Sequence, residues 1–430
     1  MTRFQLIFTA ILVALGVAGV VIFAISKNSG SQSAAPLVMW GNVDKDLMTS
    51  YISGFSLNYK DSLDVNYVQK SPATFESDLI SALANGNGPD LVLLPQGLIL
   101  KQINKFYVVP FSSYSQRTFM DSFIPEGELF LTSAGIIGFP FSIDPMVMYW
   151  NRDMFSNAGI PLPPTTWSQF FDLAPKLTVK DQSGNITQSA IAFGEAENVT
   201  HFKDMVALLS LQAGTPIVAL DSMGTISSAF SARGSQGLVP AEEAVSYFTE
   251  FSNPLKTSYS WNRSLPDDKS EFLAGQLAVY FGYASELRSI RAANPNLNFD
   301  VALMPQTEGK KETFGAMDAV AILKASKNIP AAYVAAVTLA SQPLQAGWVS
   351  ASGLPPVRRD MLAPLPGNAY DSIFYQSALI SNAWLDPNRE ETTNVFGSLI
   401  DDVTSGKLRV SDAVSQASQQ IGSLLRANNQ

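Results

Sequence analysis

At 430 residues the chain is long enough for two cores of ordinary size, and 46% apolar against 15% charged residues supplies ample material to fill them. A formal charge of -9 with no Lys/Arg cluster removes the electrostatic footprint of a nucleic-acid binder. With no cysteine and one histidine, His201, disulfide scaffolds, thiol nucleophiles and the usual zinc ligand sets are excluded together.

Phe4 to Ile25 is an almost wholly apolar run of roughly 20 residues, enough to span a bilayer at about 1.5 Å per residue. Arg3 precedes it, and the positive-inside rule then leaves the bulk of the chain outside the cell membrane. Ala24-Ile25-Ser26 would suit cleavage of a signal peptide, which would leave a secreted or periplasmic protein. The run exceeds the about 7 to 15 residues of a signal core, so residues 1–26 are expected to remain as a single-pass transmembrane helix. Residues 27–36, rich in Ser, Asn, Gly and Gln, form a flexible tether.

Leu37 to Trp40 has a short buried-strand pattern, and Val65 to Val68 and Leu91 to Leu94 read as a second and a third strand. Between them, Leu47, Met48, Tyr51, Ile52 and Phe55, then Phe75, Leu79, Ile80 and Leu83, recur at helical spacing. This alternation predicts an α/β fold with a parallel sheet covered by helices. Ligands of such sheets sit outside the carboxyl ends of the strands, which selects Trp40 to Asp44 and Pro95-Gln96. Trp40 suits a cleft or core packing at a lobe edge, and Asp44 suits a ligand contact or a helix cap.

Ile136 to Phe141 and Met146 to Trp150 flank a polar pause, Ser142-Ile143-Asp144-Pro145, where the chain is expected to pass from a first lobe to a second. Asp144 there is a ligand candidate or a turn-forming Asp before Pro. Ile191 to Gly194 and helices from Phe202 to Ala213 and Ala241 to Phe251 belong to the second lobe. Trp261, in the polar loop Tyr259-Ser260-Trp261-Asn262, reads as exposed and in need of a partner surface. Asp318, after Gly315-Ala316-Met317, and Trp384 complete the candidates, whereas Trp150, Trp167 and Trp348 lie in apolar patterns and read as core.

The stretch Gly138 to Trp167 combines the apolar run, a short helix opened by Asn151, a Gly/Pro-rich turn and a second helix ahead of Trp167. Downstream, Phe272 to Tyr283 is a helix end, a Gly turn and a small apolar strand ending in Gly and an aromatic. Phe299 to Pro305, Ser352 to Arg358 and Ser405-Gly406-Lys407 follow in order. Together these segments resemble the extracellular solute-binding proteins of bacterial ABC importers, the maltodextrin-binding type in particular. The resemblance implies a two-lobe periplasmic-binding-protein-like (type II) fold with a ligand cleft between the lobes. Its crossings divide the chain into lobe one at 37–143 and 300–355 and lobe two at 144–299 and 356–430. It also implies a monomer without cofactor or metal that closes on a small solute and presents it to the permease subunits. Tyr283 matches the aromatic of the family's second-lobe motif.

Trp and Tyr supply flat faces for sugar rings, and Asp, Asn and Gln supply hydroxyl partners. The expected ligand contacts are therefore Trp40, Asp44, Gln96, Asp144, Trp261, Tyr283, Asp318 and Trp384, with no evident cationic clamp. Where the maltodextrin-binding pattern has a stacking Trp, this chain carries Thr392, Thr393, Asn394 and Phe396, which argues against maltodextrin itself. An exported carbohydrate-active enzyme and a ligand-presenting sensor or adhesion module are the alternatives. Against the enzyme, acid pairs such as Asp267-Asp268 are adjacent rather than placed across a bond, and no nucleophile elbow, P-loop or dinucleotide fingerprint occurs.

Overall fold

The apolar runs at Leu37 and Leu91 become strands buried on both faces, and Val65 begins the edge strand beside them. The computed structural model describes residues 36–59, 64–220, 225–234, 237–307 and 310–428. β1 (Leu37–Gly41), β2 (Val65–Gln69) and β3 (Leu91–Pro95) alternate with helices α1 (Lys45–Tyr59) and α2 (Phe75–Ala84). All three strands pair in parallel with β1 in the centre. Leu91 to Leu94 are at most 1% exposed, as expected for parallel strands covered on both sides. Asn85-Gly86 stops α2, with Gly86 at φ 70, the left-handed conformation that glycine adopts without penalty.

The polar pause is not a break. β4 (Phe139–Asn151) is one strand of 13 residues. Phe141 and Ile143 point into the core with no exposure, while Ser142 and Asp144 alternate onto the other face. The remaining strands of the main sheet are β5 (Val179–Lys180), β6 (Ile186–Ile191), β7 (Leu277–Tyr283), β8 (Phe299–Ala302), β9 (Thr313–Ile322) and β10 (Ser381–Asn382). They form one ten-stranded sheet in the order β2-β1-β3-β9-β4-β7-β6-β5, with β8 also on β4 and β10 also on β9.

β4 is shared by two halves of this sheet. Phe139 to Pro145 pair with β9, which continues into β3, whereas Met146 to Asn151 pair with β7 and β8. The change of partner falls at Pro145, which lacks an N–H to donate. Helices α3 (Phe202–Gln212), α4 (Pro240–Glu250) and α5 (Glu286–Ala293) belong to the second half, and α6 (Gln342–Ser352) packs on α1 in the first. Ser352 to Arg358, a segment expected to cross, stays with the first half: Ile124 N–H donates to the Val357 carbonyl at 3.0 Å and Arg358 bridges Phe123. The chain then runs through α7 (Ala369–Leu379) into β10, α8 (Arg389–Thr404) and α9 (Val410–Asn428). The architecture is the expected two-lobe α/β arrangement.

The transmembrane helix expected for residues 4–25 and the tether lie outside the described residues, except Pro36. Among the described residues no helix is long and apolar enough to cross a membrane.

Candidate functional site

A cleft of about 660 Å³ lies between the two halves, where β1, β3, β4, β7 and β9 end or pass. Register builds its floor. In the antiparallel pair of β4 and β9, Asp144 stands opposite Ala316 and Ser142 opposite Asp318, and all four line the cleft. Asp144 and Asp318 are therefore diagonal neighbours on one sheet face. Burial pushes each carboxyl up to about 6, with the charge of Glu286 adding to the rise at Asp144 and that of Asp144 adding to the rise at Asp318. Asp144 accepts the Ser285 N–H at 3.0 Å, a contact from the turn after β7 in the second half.

Gln96 also lines the cleft, with both ends of its amide engaged. Its Nε2 donates to the Gly315 carbonyl at 2.7 Å and its Oε1 accepts the Met317 N–H at 3.0 Å. It thus splints β9 just before the register irregularity at Asp318/Ala319.

The second half contributes Tyr283, Trp384 and a polar group on α3. Tyr283 Oη donates to Asp204 Oδ2 at 2.7 Å, and its ring meets His201 edge-on at 5.0 Å. His201 Nε2 lies 2.8 Å from Glu286 Oε1, and Glu286 also accepts from Lys269 Nζ at 2.6 Å, Tyr280 Oη at 2.8 Å and Tyr283 N–H at 2.9 Å. These donors hold the Glu286 carboxyl at about 2 despite its burial. The single histidine therefore braces the Tyr283 turn from behind. Trp384 is 6% exposed, with Lys203 Nζ 5.7 Å from its ring centroid.

Three sequence candidates stand elsewhere. Trp40 is packed in the first half with Lys70 Nζ 3.9 Å above its ring, and it does not line the cleft. Asp44 is an exposed helix cap whose Oδ1 accepts the Asp46 and Leu47 N–H groups at 3.0 Å each. Trp261 has no exposure at all, and its Nε1 donates to Asn198 Oδ1 at 3.0 Å. The loop around it is polar because Ser260 Oγ caps β6, accepting the Ala190 and Ile191 N–H groups at 2.9 and 3.1 Å.

Other residues at the cleft escape sequence reasoning. Trp348, read as core, is 2% exposed and packs on Tyr51 and Phe141, yet it lines the cleft and its Nε1 has no acceptor. Asn42 Oδ1 in the loop after β1 has no donor. Cations are present as well. Lys203 Nζ is saturated by Asp386 Oδ2 and Thr392 Oγ1 at 2.6 Å each and the Arg389 carbonyl at 3.0 Å. The Arg291 guanidinium lies 4.5 Å from the centre of the Tyr370 ring, and Arg288 and Arg389 reach the cleft from exposed positions. A lysine and an aspartate opening the otherwise apolar α3 are the one sequence signal that points to part of this set. Among the described residues no group of three or more acidic or histidine side chains could hold a metal ion.

Comparison with known proteins agrees with this geometry. Residues 56–373 match the family model described as bacterial extracellular solute-binding protein. A Brucella abortus protein named as a binding protein is 24% identical over 289 residues, 66% of this chain and 66% of that protein. The chain thus spans just under two thirds of the length of the curated relatives it first matches. The sn-glycerol-3-phosphate-binding periplasmic protein of Pectobacterium atrosepticum is 27% identical over 37% of this chain and 38% of its own length. Among solved structures, the sugar-binding protein MalE of Xanthomonas citri superposes with a TM-score of 0.74 at 16% identity, over 92% of this chain and 98% of that one. The match over most of the chain identifies it as a member of the bacterial extracellular solute-binding protein family.

Proposed function

We propose that the protein captures a sugar or oligosaccharide in the cleft by hinge closure and delivers it to the permease of an ABC importer. The observation that carries this reading is the composition of the cleft wall. Aromatic rings of Tyr283, Trp384 and Trp348 come from both sheet halves and frame carboxylates on the β4–β9 floor. Flat apolar faces with fixed polar groups suit pyranose rings and their hydroxyls. The Xanthomonas structure of the same fold is that of a sugar-binding protein, which supports the substrate class.

In this reading Asp144, Tyr283, Asp318 and Trp384 serve the ligand, Gln96 holds β9 in place at the cleft through Gly315 and Met317, and Trp40, Asp44 and Trp261 serve the fold. The lobes take in 37–143 with 300–355, and 144–299 with the chain that follows the first-half contacts of Val357 and Arg358, and they rotate about the strands that connect them. Residues 4–25 hold the protein in the membrane with its lobes outside the cell, where it binds solute and transforms nothing. Tryptophan fluorescence during titration with a panel of neutral sugars tests the substrate class. A saturable change with a sugar is expected. A response confined to sn-glycerol 3-phosphate or to peptides, with none to any sugar, would refute it.

A further inference from the structure

We propose that Lys203 is a positioning residue for the sugar site: it fixes segment 383–388 as one wall of the cleft and so sets Trp384 against the ligand. This rests on the sugar-binding function proposed above. Trp384 and Asp386 line the cleft from this segment, and Arg389 lines it from the first turn of α8. The wall reaches the first half of the sheet, because a Cβ on Gly97 would lie 3.7 Å from both Cβ and Cδ of Arg389. No helix or strand runs between β10 and α8, and Trp384 and Leu385 make no backbone hydrogen bond among the described residues. Local backbone structure therefore does not fix the ring, and the hold comes from outside the segment.

Lys203 supplies that hold from α3. An ammonium donates three hydrogen bonds, and this one uses all three: on Asp386 Oδ2 at 2.6 Å, on Thr392 Oγ1 at 2.6 Å and on the Arg389 carbonyl at 3.0 Å. None is left for a ligand, although the side chain borders the cleft. Asp386 also accepts from Thr392 Oγ1 at 2.8 Å and from the Asn388 N–H at 3.0 Å, so the chain's turn into α8 closes around the ammonium and both carboxylate oxygens are taken. Nζ lies 5.7 Å from the centre of the Trp384 ring, within reach of cation–π attraction. Phe396 of α8 meets that ring at 6.2 Å, and Asn428 Nδ2 of α9 donates to the Pro387 carbonyl at 2.6 Å. Lys203 is the tie between the segment and α3.

Burial explains why a charged pair serves here. Lys203 and Asp386 are 7% and 6% exposed. A buried ion pair adds little stability over an apolar pair of similar volume, because desolvation offsets the attraction. It does admit a single geometry, where apolar side chains slide among several. In a wall without a backbone ladder, that single geometry keeps Trp384 in one place before the ligand arrives, and a preorganised ring loses less freedom on binding.

The test combines Lys203→Met with Asp386→Leu, which removes the tie without stranding a buried charge, so that loss of position separates from loss of fold. Calorimetric titration of the full chain in detergent with the tightest neutral sugar of the panel should show affinity about tenfold below wild type. Acrylamide quenching of Trp384, taken without sugar as the difference between each protein and its Trp384→Phe counterpart, should rise in the double variant. Thr392→Val keeps the ion pair and deletes one of the three contacts; it should move both readings the same way by a smaller step, and it decides the question if the double variant does not fold. Unchanged affinity, or weaker affinity with Trp384 quenched as in the wild type, overturns the positioning role and leaves sugar binding standing. Binding of no sugar by folded wild type overturns the sugar reading, and the quenching comparison then decides alone whether Lys203 fixes the ring.

Discussion

Glu126 offers a quantitative test of how β10 is fastened to the first half of the sheet. It lies in the turn Pro125–Phe130 with no exposure, and Ser381 Oγ of β10 donates to its Oε2 while Oε1 meets nothing. Gly315 leaves it room, since a Cβ there would fall 2.1 Å from Oε2. Burial pushes its carboxyl from 4.5 to about 8, against the opposing hydrogen bonds of Ser381 and Gln96. The folded state therefore holds this proton and the unfolded state releases it. The stability linked to it is complete below pH 4.5 and is lost as pH rises to about 8. At about 1.4 kcal/mol per pH unit the whole span is on the order of 5 kcal/mol. Asp144 and Asp318 act with the same sign, but their window ends near 6. Between pH 6 and 8 the loss traceable to Glu126 is then about 2–3 kcal/mol, or close to 1 M urea at an m-value of about 3 kcal/mol/M. Glu126→Gln keeps the shape and removes the titration. Urea midpoints measured by fluorescence at pH 6 and pH 8 should fall for the wild type by that much more than for the variant. Parallel behaviour of the two proteins would refute the assignment of a buried, protonated Glu126.

Three further substitutions separate binding from folding. Lys203→Met strands the Asp386 carboxylate and should destabilise the protein by about 3–5 kcal/mol in urea denaturation, and Lys203→Met with Asp386→Leu should recover most of it. Trp384→Ala should weaken sugar binding by roughly 30-fold, the cost of about 2 kcal/mol for truncating an aromatic anchor, as read by calorimetry. Trp261→Phe should leave sugar affinity unchanged and lower stability by about 1–3 kcal/mol, because it leaves Asn198 Oδ1 without its buried donor.

The fold is legible wherever one local rule decides. β1, β3 and the helices between them follow from apolar runs and helical spacing, because both faces of those two strands are buried, while β2 is the edge strand beside β1. β4 is not legible as one strand. Ser142, Asp144 and Pro145 read as a pause, yet Ser142 and Asp144 are alternate residues facing the cleft and Pro145 marks the change of partner. The site is legible at the level of loops. The strand-end rule leads to the segments holding Asn42 and Gln96, but cap geometry turns Asp44 outward and leaves Asn42 facing in. Trp261 and Trp348 show why local polarity misleads. The polar neighbours of Trp261 satisfy a strand end, and the apolar neighbours of Trp348 build the wall behind a cleft. Lys203 and Asp386 are 183 residues apart in sequence, so their pairing has no local signature.

The central claim is that two lobes close over a sugar. Small-angle scattering on the protein alone and saturated with the tightest sugar of the panel tests it most directly. Closure predicts a smaller radius of gyration and a narrower distance distribution in the bound state, and superimposable curves at demonstrated saturation would contradict it.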